Sequence, residues 1–129
     1  MRPNWRFVLA ALVCTALVAC NSGSELPGDP ERGQALYETG GQAAIPCASC
    51  HSLDGTRIVG PSFQGLLERA GSRTPGLDAE SYIRQSIREP SAYVVHGYDD
   101  VMPKVYGEKL TEEDINDLLA FLILQAETR

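Results

Sequence analysis

Cys47-Ala48-Ser49-Cys50-His51 is the densest group of reactive side chains in this sequence. Two thiols three positions apart can add to the two vinyl groups at one edge of a porphyrin. The adjacent imidazole then lies beneath the ring with a nitrogen available to iron, so the pentapeptide predicts covalent attachment of one haem c. A disulfide between Cys47 and Cys50 closes too small a loop to constrain the chain much. A thioredoxin-like redox pair sits after a strand and opens a helix, and no strand pattern is present. A zinc site needs four ligands, yet beyond these three residues the chain offers only His96 and carboxylates, with no second Cys-x-x-Cys.

Iron in an electron carrier needs a second axial ligand, and the candidates are few, since the chain holds two His and two Met. Met102 lies in Asp100-Val101-Met102-Pro103, on a segment without helical periodicity, where a core methionine would be out of place. It is the favoured ligand, and a thioether there raises the reduction potential. His96 is the other candidate, otherwise an exposed loop residue. With His51 and Met102 both bound, the iron has no open position. The expected protein is therefore an electron carrier, with no enzyme activity and no small-molecule substrate. A sensor or peroxidase-type protein with a displaceable Met102 is the alternative, although no distal acid or base is evident apart from His96.

Helices must position these groups. Asp29-Pro30-Glu31 combines an N-cap residue, proline at the first helical position and an acid in the first turn, which predicts a helix over 30–39 that Gly40-Gly41 stops. Residues 42–77 are rich in Gly, Pro and Ser, with one short helical candidate at 64–70. Asp78 caps a helix over 79–88, where Tyr82, Ile83 and Ile87 form a narrow apolar stripe that ends at Glu89-Pro90. Residues 91–108 read as irregular. The strongest helical signal starts at Thr111, with Asp114 in the capping-box position and Ile115, Leu118, Leu119, Leu122 and Ile123 at helical spacing. The class is all-α, with three to four helices and long loops around one haem.

At 129 residues, 43% hydrophobic and 22% charged, the chain fits one globular domain. Its formal charge of −6 argues against a nucleic-acid partner. Arg2 and Arg6 precede an apolar run over 7–19, the length of a secretory signal and short for a membrane span. The run ends in Leu17-Val18-Ala19-Cys20, similar to the lipobox of bacterial lipoproteins. Residues 1–19 are thus expected to be a signal peptide, Cys20 the lipidated N-terminus, 20–28 a polar tether and 29–129 the haem domain. Cleavage removes Arg2 and Arg6 and moves the formal charge from −6 to −8. Nine residue steps from Cys20 to Asp29 reach at most about 30 Å.

Residues 29–126 resemble the class I c-type cytochromes. The likeness rests on the pentapeptide, Gly60-Pro61, Met102-Pro103 and both terminal helices. It implies that the carbonyl of Pro61 orients His51 through its Nδ1 proton. It also implies a close crossing of the terminal helices, with Gly33 and Tyr37 meeting Leu118 and Phe121. Tyr82-Ile83-Arg84-Gln85-Ser86-Ile87, Pro90-Ser91-Ala92 and Gly97-Tyr98 are similar to the cytochrome c domain fused to subunit II of some bacterial haem-copper oxidases. Here the domain is expected to stand alone as a lipoprotein, and residues 40–46 form a longer approach to Cys47. The resemblance implies a quinol-oxidising complex as electron donor and a terminal oxidase as acceptor. The expected signal peptide and lipobox imply a place on the periplasmic or outer side of the cytoplasmic membrane, and a fixed haem subunit of a larger oxidoreductase is the competing role.

Overall fold

Each long helix starts where a side chain takes up its free N–H groups. In the computed structural model, which describes residues 25–127, Asp29 accepts from the backbone N–H of Glu31 at 2.9 Å and of Arg32 at 3.3 Å, and helix α1 runs over Pro30–Thr39. Asp78 accepts from Ser81 N–H at 2.7 Å at the start of α3, Ala79–Arg88. Thr111 and Asp114 cap each other reciprocally, at 2.8 and 3.1 Å, and open α5, Glu112–Glu127. Two short helices complete the set: α2, Leu66–Ala70, and α4, Val105–Lys109. Three 3-10 turns lie between the helices, and no strand occurs among the described residues.

The five α-helices among the described residues exceed the three to four expected from sequence, because residues 91–108 are not irregular throughout. Val105–Lys109 is a helix of five residues, too short to be stable by itself. Tertiary contacts hold it. Tyr106 and Leu110 are buried, Tyr106 Oη donates to the Ile45 carbonyl at 2.8 Å, and Arg88 Nη1 donates to the carbonyls of Gly107 and Leu110 at 3.0 and 3.1 Å. The short central helix covers 66–70 of the expected 64–70.

The core lies between α5 and the rest. Ile115 and Leu119 are fully buried, each contributing about 1.5–3 kcal/mol by leaving water. One side of α5 crosses α1 closely. A Cβ on Gly33 would overlap the carbonyl oxygen of Asp117 and press on Phe121 Cβ, so only glycine permits this approach. Tyr37 meets Phe121 with ring centroids 5.5 Å apart. Asp117 is 2% exposed at this crossing. Its carboxylate accepts from Asp29 N–H at 2.7 Å and pairs with Arg32 at 2.6 Å, so the start of α1 is latched to the middle of α5. Leu26, Pro27 and Gly28, just before the latch, are half-buried. No helix among the described residues is long and apolar enough to cross a membrane. The expected signal peptide 1–19 and Cys20 lie outside the described residues.

Candidate functional site

Pro46 leads into a 3-10 turn over Cys47–Ser49, closed by His51 N–H on the Cys47 carbonyl at 2.9 Å. The turn leaves both thiols free and only partly covered. Two long-range bonds then fold the chain back over His51: Gly60 N–H to the Cys50 carbonyl at 2.8 Å, and Phe63 N–H to the Ser52 carbonyl at 2.7 Å. As a result the Pro61 carbonyl oxygen lies 2.7 Å from His51 Nδ1. A carbonyl can only accept, so Nδ1 carries the proton and Nε2 keeps its lone pair. The Phe63 ring stacks on the imidazole at 4.5 Å and 13°. Gly60 packs against the same ring, where a Cβ would come within 2.5 Å of Cε1.

Burial shapes the ionisation of these groups. It lowers the pKa of His51, opposed by the Pro61 contact, which favours a neutral imidazole. Burial pushes the Cys47 thiol up to about 11 and the Tyr106 phenol up to about 12. The Tyr37 phenol is raised for the same reason, and it donates to the His51 carbonyl at 2.6 Å.

Cys47, Cys50, His51 and Met102 line one cavity, brought together from either side of α2 and α3. Its other walls are mostly apolar, among them Leu66, Ile83, Ile87, Leu118 and Leu122. His96 is exposed and does not line it. Among the described residues no three His, Cys, Asp or Glu side chains group into a metal site. The donor set nevertheless fits a haem: two unpaired thiols, an imidazole with its free nitrogen defined by Pro61, a thioether, and an apolar enclosure. The cytochrome c family model matches residues 30–123.

The chain belongs to the cytochrome c family.

It is a class I c-type cytochrome, and membership brings with it a covalently bound haem c and electron transfer as the general activity. No curated protein matches the chain closely enough to add a relative. Several residues around the cavity are not evident from sequence. Arg57 donates to the Gly97 carbonyl and lies 4.1 Å from the Tyr98 ring centroid, strapping the loop after the pentapeptide to the loop before Met102. Arg73 lines the cavity from the Gly-, Pro- and Ser-rich segment. Partners 40 residues apart, as for Arg57, leave no local signal.

Proposed function

We propose that the protein is a lipid-anchored, single-haem electron carrier of the respiratory chain, taking electrons from a quinol-oxidising complex and delivering them to a terminal oxidase. The observation that carries the reading is the cavity shared by Cys47, Cys50, His51 and Met102. Cys47 and Cys50 would hold the haem through thioether bonds, and His51 and Met102 would ligate its iron. When bound, haem supplies a one-electron Fe(II)/Fe(III) couple.

The chain's own contribution is to orient and to exclude. Pro61 fixes the His51 tautomer and ring, and makes the imidazole a better donor. Phe63 and Gly60 hold the ring from its sides. The apolar walls would keep water from the ligands, and Met102 as a ligand would favour the reduced metal. Lipidation at Cys20 keeps the domain on the membrane, since attachment through more than one acyl chain suffices where a single chain is marginal.

Two experiments test this. Wild-type protein should keep its haem through denaturing extraction while the Cys47→Ala, Cys50→Ala double variant loses it; quantitative release from wild type rejects covalent attachment. Cys20→Ser, exported by a nonlipoprotein signal, should bind haem yet appear in the soluble fraction. Membrane retention of that variant would move the reading to a fixed subunit held by a partner protein.

A further inference from the structure

Residues 93–101 lead into Met102 with little to hold them. Their own hydrogen bonds are local: Tyr98 N–H on the Val95 carbonyl at 3.0 Å, Val101 N–H on the Asp99 carbonyl at 3.0 Å, and Ser91 Oγ on Asp100 Oδ1 at 2.9 Å. The Tyr93 ring meets Tyr82 of α3 edge-on, with centroids 5.8 Å apart. Among the described residues, one hydrogen bond ties this stretch to a distant part of the chain, from Arg57 Nη2 to the Gly97 carbonyl. The same guanidinium lies over the Tyr98 ring. Its root is firm. Thr56, the residue before it, donates its N–H to Asp54 Oδ1 at 2.9 Å, and its carbonyl accepts from the buried Ser52 hydroxyl at 2.6 Å. Arg32, Arg84 and Arg88 hold carboxylates, whereas Arg57 reaches a backbone carbonyl and a ring on the opposite loop. Val59 and Tyr98 line the cavity from the two loops it joins.

We propose that Arg57 is a positioning residue for Met102: it pins the loop that carries the thioether to the loop that carries Pro61, and so sets how readily another ligand displaces Met102 from the iron. The inference rests on the haem reading with Met102 as ligand. For a competitor to enter, Met102 must withdraw, and Gly97 and Tyr98, five and four positions before it, must move with it. Met102 itself is half-buried against the core, so the stretch is fixed at its far end by packing and near its middle by Arg57. Releasing the second point frees the loop to swing. A guanidinium serves here because it offers a charged donor edge and a planar face together, and lysine keeps only the first.

The test titrates imidazole into ferric, haem-loaded wild type, Arg57→Gln, Arg57→Lys and Gly33→Ala, following loss of the thioether-ligated spectrum, with haem content and denaturation midpoint measured for each. Arg57→Gln should bind imidazole about three- to tenfold more tightly than wild type. Arg57→Lys should fall between the two, and Gly33→Ala, altered at the α1–α5 crossing, should match wild type. Wild-type affinity in Arg57→Gln overturns the proposal. So does an equal tightening in Gly33→Ala, which assigns the effect to general loosening of the fold. Should Arg57→Gln fail to load haem, Tyr98→Leu removes the ring and leaves the Gly97 carbonyl, and wild-type affinity there overturns the proposal equally. A Met102→Ala protein with the wild-type spectrum overturns the ligand reading instead, whatever Arg57 does.

Discussion

The phenol of Tyr37 donates to the backbone carbonyl of His51 at 2.6 Å, joining α1 to the pentapeptide across 14 positions. Tyr37→Phe keeps the ring against Phe121 but strands a buried carbonyl. It should cost about 1–3 kcal/mol in denaturant unfolding, with haem still attached. A stability equal to wild type would mean that solvent replaces the phenol.

The close approach at Gly33 makes a second prediction. Gly33→Ala puts a methyl group against the Asp117 carbonyl, which belongs to helix backbone and cannot swing aside. Overpacking of this kind costs about 1–3 kcal/mol or more, against which the better helix propensity of alanine is small. A denaturation midpoint at or above wild type would show that α1 and α5 can slide apart.

Met102 and His96 separate by location, the first lining the cavity and the second exposed outside it. Met102→Ala should lower the reduction potential and open a coordination position to added cyanide or imidazole. His96→Ala should leave both spectrum and potential unchanged. The reverse pattern would transfer the ligand role to His96.

Asp78 gives a pH signature. The hydrogen bond from Ser81 N–H is the first cause holding its carboxyl below the usual carboxylate range. Because the folded pKa lies below the unfolded one, the stabilisation is complete above about pH 4 and is lost as pH falls through the folded value. Asp78→Ala should therefore unfold at lower denaturant than wild type at neutral pH, with the gap closing in acid. A gap that stays constant down to about pH 2 would assign the loss to something other than the ionised cap.

The features legible in sequence are those that short stretches encode. Asp29, Asp78 and Thr111 mark their helix starts by local hydrogen bonding, and the pentapeptide carries its chemistry in five residues. Helix α4 was hidden because its stability comes from Tyr106, Leu110 and Arg88 and not from its own five residues. Asp117 carries no local signal, because it is buried against a backbone donor 88 positions away. Ile123, placed on the apolar stripe, is only partly buried, while Phe121 off that stripe is buried against α1. α5 is in effect two-sided, one flank on α1 and the other on the cavity, and a single-stripe pattern cannot express that.

The latch between Asp29 and Asp117, with Leu26 to Gly28 half-buried before it, would set the length of the proposed tether. On the proposed lipoprotein reading, the distance from the lipid to the described surface is counted from Cys20 to Glu25 and not to Asp29. Five residue steps extend to at most about 18 Å, against about 30 Å for nine. Under that proposal the domain would hang from the α1–α5 crossing on a short radius and would present the cavity mouth by rolling about that fixed point. A pull transmitted through such a tether would fall first on Asp117 and Arg32, leaving the loops that carry His51 and Met102 unloaded.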